Sequence, residues 1–248
     1  MTDALIKIEN VTKQYSAGGM FEQRKTMLAV NRVSLEIGRG EIVAVVGESG
    51  SGKSTLGRIA LHLTKPTEGK VWFEGTELSR LRPPEMRRTR RRMQIIFQDP
   101  YSSLNPYMTV GQALEEVLRV HGIGNGRDER RQRVAELIKR VGLNPDAAGR
   151  YPHQFSGGQR QRVGIARAMA TEPDFIVADE PISALDVSIQ AQILQLLRKL
   201  QSYTGLSMLF ISHDMSAVRY ISDRVVVMYL GMIVEAGDTR DVFAAPRH

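Results

Sequence analysis

Polar and apolar residues alternate from Leu5 to Tyr15, where Ile6, Ile8 and Val11 recur, and this pattern predicts a half-buried strand. The polar, glycine-bearing stretch Ser16 to Thr26 reads as an excursion before a second strand, Ala29 to Ile37, with Val33, Leu35 and Ile37 on one face. Gly38 and Gly40 then turn the chain into Ile42 to Val46, a run of apolar residues without alternation, as expected of a strand buried on both faces. Ser54 to Leu63 predicts a helix ended by Lys65-Pro66. A turn at Glu68-Gly69 introduces a strand within Thr67 to Gly75, and Met93 to Phe97 is a short apolar strand running into Gln98-Asp99-Pro100.

The pattern then changes character. Tyr101 to Tyr107 reads as loop, Val110 to Val120 and Asp128 to Val141 as helices, and Phe155 to Gln159 as a glycine-rich turn leading into a helix over Gln159 to Ala170. No strand is predicted between Asp99 and Thr171. Strand character returns at Asp174 to Ala178, Met208 to Ile211 and Val225 to Met228, with a last strand through Val234 after a Gly231 turn. Between them lie a helix opening at Ser188, with Ile189, Ile193, Leu196, Leu197 and Leu200 on one face, and a helix Met215 to Ser222; a short helix near Thr239 to Phe243 follows. The expected fold class is α/β: a mostly parallel sheet covered on both faces, its core formed by residues about 1–98 and 170–248, with a helical insertion over about 99–169.

Composition narrows the setting. The 248 residues are 42% hydrophobic, ample for a packed core, and the longest apolar runs are too short to span a bilayer. The N-terminus lacks the apolar core of a signal peptide, and the absence of cysteine excludes disulfides and thiolate metal sites, which agrees with a cytoplasmic location. The net charge of +7 is partly local: Arg82 to Arg92 holds six arginines and one acid, with no aromatic residue to stack on bases. That segment reads first as a solvated helix face and second as a contact for a partner or anionic lipid headgroups.

The chemistry begins at I-V-A-V-V-G-E-S-G-S-G-K-S-T, Ile42 to Thr55. The pattern G-x-x-x-x-G-K-S falls on Gly47, Gly52, Lys53 and Ser54, between a buried strand and a helix, where a loop can wrap phosphates with its backbone N–H groups. Glu48, Ser49, Gly50, Ser51 and Thr55 complete the cradle. Lys53 supplies a positive charge for the β- and γ-phosphates and Ser54 a hydroxyl for Mg²⁺. In parallel sheets ligands sit beyond the carboxyl ends of strands, and Gln98, Asp179, Glu180 and His213 all occupy such ends. Asp179 is suited to hold Mg²⁺ and Glu180 to accept a proton from water attacking the γ-phosphate. Gln98 can ligate the metal or orient water, His213 can bond the γ-phosphate or the water, and Tyr15 offers a ring face to adenine. Ser156, Gly157, Gly158 and Gln159 form a second, lysine-free anion site in the helical insertion; a symmetric dimer would lay it over the phosphates of the other chain.

These motifs, in this order, resemble the ATP-binding subunit of an ABC transporter, a P-loop NTPase cassette with a mostly parallel core, an antiparallel β portion and an inserted helical subdomain. Gly47 to Ser54 is similar to the Walker A loop, Gln98 to the Q-loop glutamine, and Phe155 to Gln159 to the L-S-G-G-Q signature with Phe in place of Leu. Asp179 and Glu180 resemble the Walker B pair, Ser183 to Asp186 the D-loop, His213 the switch histidine and Tyr15 the adenine-stacking tyrosine. F-Q-D-P-Y-S-S-L-N-P-Y-M-T-V-G (Phe97 to Gly111) and Y-P-H-Q-F-S-G-G-Q-R-Q-R (Tyr151 to Arg162) are similar to the oligopeptide, dipeptide and nickel importer subfamily, whose longer members continue past the position of His248.

The resemblance implies ATP and Mg²⁺ as cofactors, two transmembrane permease subunits, a second ATPase subunit in an ATP-sandwich dimer, an extracytoplasmic solute-binding protein met indirectly, and a place on the cytoplasmic face of the inner membrane. Asp186 would then join the nucleotide contacts, and the Gln98 to Pro106 segment would carry coupling to the permease. No nucleic acid is expected. Two rival readings are a nucleic-acid-linked ABC ATPase using the basic surface and a non-hydrolytic ATP-binding partner subunit.

Overall fold

The strand Ile42–Val46 (β3) shows why this chain builds two cores from one sheet. All five residues are buried, yet successive side chains point to opposite faces: Ile42, Ala44 and Val46 join one apolar cluster, Val43 and Val45 another. The computed structural model describes residues 4–17, 25–99 and 104–248. The middle of the Ser16 to Thr26 excursion and Pro100 to Ser103 of the loop after Gln98 lie outside the described residues.

A four-stranded antiparallel sheet contains Ala4–Ala17 (β1), Lys25–Gly38 (β2), Glu68–Phe73 (β4) and Thr76–Glu77 (β5), in the order β2-β1-β4-β5. A six-stranded sheet contains β3 with Met93–Ile96 (β6), Phe175–Asp179 (β7), Ser207–Ile211 (β8), Arg224–Tyr229 (β9) and Met232–Asp238 (β10). Its order is β10-β9-β3-β8-β7-β6, parallel except that β10 runs antiparallel to β9. Lys53–Ala60 (α1) packs on the β3, β7 and β8 face together with the antiparallel sheet. Gly57 permits that approach, since a Cβ there would press on Val177 and Ile211.

Pro83–Arg92 (α2) leads into β6 and packs Met86 against the same cluster as α1. The other face carries the remaining helices: Val110–Val120 (α3), Arg127–Arg140 (α4) and Gly157–Met169 (α5) lie between β6 and β7, and Val187–Thr204 (α6), Met215–Ile221 (α7) and Thr239–Ala244 (α8) follow. Leu114, Leu118, Val134, Ile138 and Val163 tie α3, α4 and α5 into the core shared with α6 and the sheet. Among the described residues no strand falls between β6 and β7.

Three details differ from the pattern-based reading. Glu68 and Gly69 are not a turn but belong to β4, at an irregularity of register where Gly69 takes φ +85°. The last strand runs beyond Val234 to Asp238. Gly157 and Gly158 are not a turn either: α5 begins at Gly157, two residues before the expected start, because Ser156 caps it.

Candidate nucleotide-binding site

The strand order sets four polar strand ends side by side. β3 leads to Gly47, its neighbour β8 to Ser212-His213, the next strand β7 ends on Asp179 and is followed by Glu180, and β6 leads to Gln98. Parallel direction puts all four ends on one rim, spaced by the few ångströms between adjacent strands.

The loop after β3 is shaped by contacts on both sides. At Gly47 a Cβ would overlap the Met228 carbonyl oxygen, and at Gly52, φ +100°, it would overlap that of Ala29. Only glycine suits both positions. The Gly231 N–H donates to the Ser51 carbonyl at 3.1 Å, and Ser51 N–H to that of Glu48 at 3.2 Å. Gly52 opens α1 without any side-chain cap, so the first N–H groups of the helix are left for an anion. The buried Ser51 hydroxyl has no partner either, as expected of a loop built around a ligand. Glu48, Ser49 and Gly50 are exposed, and Thr55 is half-buried in the first turn of α1.

Lys53 is only 5% exposed and folds back over the loop, its ammonium donating to the Gly47 and Glu48 carbonyls at 2.8 Å each. Burial lowers the pKa of its amine, while Glu180 and Asp179 oppose that shift. The Ser54 hydroxyl donates to Asp179 Oδ1 at 2.8 Å. Burial raises the pKa of Asp179; the Ser54 hydrogen bond and the positive charge of Arg58 oppose it. A hydroxyl and a carboxylate in contact form the hard-oxygen donor pair that suits Mg²⁺, so these residues fit the metal.

Glu180 stands in the left-handed region, φ +47°, a conformation costly for a residue with a Cβ. Its N–H donates to the Ile211 carbonyl at 3.0 Å, and the Ser183 hydroxyl donates to its carbonyl at 3.1 Å. The carboxylate is thereby turned toward the neighbouring strand ends. Gln98 Nε2 donates to one oxygen at 3.0 Å, and His213 Nδ1 lies 3.5 Å from the other. Gln98 therefore meets Glu180 directly, rather than the Ser54–Asp179 pair.

Other residues sit apart from this cluster. Tyr15 pairs in register with Met27, two residues before Ala29, whose carbonyl abuts Gly52. The Lys13 ammonium lies 5.1 Å from the centre of its ring. Ser156 caps α5 by accepting from Gln159 N–H at 3.3 Å, while the Gln159 side chain accepts from Ser156 N–H at 3.1 Å. Ser156 and Gly157 are exposed, whereas Gly158 is buried where a Cβ would overlap Ile189. This helix start thus packs on α6, whose N-terminal flank is the exposed Asp186. The supporting positions Ala29 and Gly231 carry no motif of their own, and Ser183 was legible only as the start of the D-loop-like segment, not as a partner of Glu180; the hairpin glycine was legible as a turn, but not its contact with the loop.

A family model described as ABC transporter matches residues 30–183. The chain is 53% identical over 244 residues to a putative peptide import ATP-binding protein of Brucella ovis, covering 98% of this chain and 75% of the relative. It is 49% identical over 249 residues to the oligopeptide transport ATP-binding protein OppF of Bacillus subtilis, covering 100% and 80%. Among solved structures, a dimeric ATP-binding cassette bound to ADP and Pi in a post-hydrolysis state superposes with a TM-score of 0.84 at 36% identity, covering 95% of this chain and 99% of that one.

Proposed function

The chain belongs to the ABC transporter family, and from that premise we propose that it is the ATP-hydrolysing subunit of an importer that takes up peptides. The observation that carries the reading is the convergence of Lys53, Ser54, Asp179, Glu180, Gln98 and His213 on one sheet rim. No helix among the described residues is long and apolar enough to cross a membrane, so in this reading the path for the cargo belongs to two permease subunits. The subunit works at the inner face of the membrane, with an extracytoplasmic solute-binding protein delivering cargo to the permeases.

The loop Gly47 to Thr55 holds the triphosphate, with Lys53 exchanging loop carbonyls for phosphate oxygens, and Tyr15 lies against the base. Ser54 and Asp179 would hold Mg²⁺, which when bound would supply positive charge to offset that of the phosphates. Water attacks the γ-phosphorus, the bond to the β-phosphate oxygen breaks, and the water's proton passes to Glu180. Gln98 and His213 orient that carboxylate and the water. Residues about 99–169 act as a helical subdomain that carries Ser156 to Gln159 to the nucleotide of a second ATPase subunit, with Asp186 beside it. Loss of the γ-phosphate removes an anion held by both halves and favours opening of the dimer. The segment from Gln98 to Pro106 passes this change to the permease.

The test is phosphate release by the purified chain with Mg·ATP, alone and with a homologous ATPase subunit, against its Glu180→Gln variant. The variant is expected to bind ATP and to lose at least about 100-fold in turnover. Near wild-type turnover in the variant would overturn the general-base role. ATP binding with no turnover by the unmodified chain in either format would favour the non-hydrolytic reading. Stimulation of hydrolysis by DNA in a salt-dependent manner would favour the nucleic-acid-linked one.

A further inference from the structure

At the end of β6 and β7 opposite the nucleotide rim, a groove of about 740 Å³ opens where α2 runs into β6, α3 ends at His121 and Thr171 to Asp174 leads into β7. Arg87, Arg88 and Arg91 line it, and among the described residues no hydrogen bond or ion pair engages their guanidiniums. Arg92, the fourth arginine of the groove, is already paired: it donates to Glu74 and, at 2.5 Å, to Asp174. Those two acids are therefore already matched, and Glu172 is the other carboxylate on the wall.

The helix alone accounts poorly for this cluster. A basic last turn complements the dipole at the C-terminal end of α2, which covers Arg90, Arg91 and Arg92. Arg87 and Arg88 lie a turn earlier, and Arg87 and Arg91 are four residues apart on one face, where like charges repel. Arg88 feels the charge of Glu85 from a distance, but planar guanidinium forks gathered without a hydrogen-bonded carboxylate match the oxygens of phosphate.

A second feature points the same way. Thr171 forms part of the groove wall, is 2% exposed, and its hydroxyl has no hydrogen-bond partner. A change of χ1 between staggered positions can present that hydroxyl to a ligand oxygen. His121 on the opposite wall has its pKa lowered by burial and by Arg91, so at neutral pH it is a neutral hydrogen-bonding group.

We propose that this groove is a second phosphate site, separate from the nucleotide loop, in which Arg87, Arg88, Arg91 and Thr171 bind the phosphate of a small phosphorylated compound or of a lipid headgroup. The test titrates inorganic pyrophosphate into the full chain saturated with ADP, which occupies the nucleotide loop. In parallel, the chain is sedimented with phosphatidylglycerol and with phosphatidylcholine vesicles. Arg88→Ala combined with Arg91→Ala is expected to weaken binding about tenfold or more, and Thr171→Val severalfold, with ATP hydrolysis unchanged. Thr171→Val preserves volume, so it reports on the site even where the double variant folds poorly.

Pyrophosphate binding that responds to these substitutions supports the proposal with a soluble ligand as the source. Substitution-sensitive sedimentation with phosphatidylglycerol alone supports it with the headgroup as the source. The proposal is overturned if neither probe binds, or if both bind the variants as well as the unmodified chain.

Discussion

The Ser54 hydroxyl donates a 2.8 Å hydrogen bond to Asp179, joining the first turn of α1 to the end of β7 across 125 residues. This contact is possible because β8 alone separates β3 from β7, and the two strands point the same way. Asp179→Asn keeps the shape and removes the charge. On the proposed role of these two oxygens in holding Mg²⁺, hydrolysis is expected to fall about 100-fold while metal-free ATP binding changes little. Phosphate release across a Mg²⁺ titration measures both effects; an unaltered Mg²⁺ dependence would speak against the assignment.

Ser156 has a local role in α5 and a proposed one toward the nucleotide of a second subunit, and two substitutions separate them. Ser156→Ala removes the cap and should cost about 1 kcal/mol of stability. Ser156→Asp retains a good capping oxygen but sets a negative charge where a phosphate would approach. Its melting temperature should stay near that of the unmodified chain while hydrolysis and ATP-dependent association fall. Thermal melts and gel filtration with ATP distinguish the two; an Asp variant that associates normally would leave Ser156 with its capping role alone.

Gly52 is required by both conformation and space. Gly52→Ala places a Cβ into the Ala29 carbonyl at φ +100°. A destabilisation of about 1–3 kcal/mol is expected, with weaker ATP binding as the loop shifts. A thermal melt and a nucleotide titration report these outcomes, and a variant as stable as the unmodified chain would contradict the steric account.

Glu74 accepts from both Arg92 and Arg39, and hydrogen bonding from Arg92 above all lowers its pKa to about 2. Because the folded-state value lies below the unfolded one, its contribution to stability is full above about 4.5 and is lost as pH falls toward about 2. Allowing for solvent screening of this partly exposed group, Glu74→Gln should cost about 1–2 kcal/mol at neutral pH. The two proteins should converge in denaturant stability as pH approaches 2; a gap that persists at low pH would assign the loss to packing.

Much of the site was legible because its parts are local. The phosphate loop needs its glycines, lysine and serine at fixed offsets between a strand and a helix, and Asp179 and Glu180 directly follow a wholly apolar run. Other features were less so. Gly157 and Gly158 read as a turn because glycine is a weak helix former, yet the Ser156–Gln159 capping box begins the helix there. The unusual backbone of Glu180 has no sequence signal: the Ser183 hydroxyl that supports it is local, but the Ile211 carbonyl reaches the Glu180 N–H only after β7 and β8 have paired.

By itself, the sequence determined the α/β class, the kind and rough extent of most elements, and which side chains stand at strand ends, because hydrophobic period and loop chemistry act over a few residues. The tertiary structure decided that β3, β8, β7 and β6 lie in that order, that Gln98 and His213 reach Glu180 from either side, and that Ala29 and Gly231 brace the phosphate loop. Those outcomes depend on which strands pair across long stretches of chain, and strand pairing is settled by burial on both faces of the whole sheet.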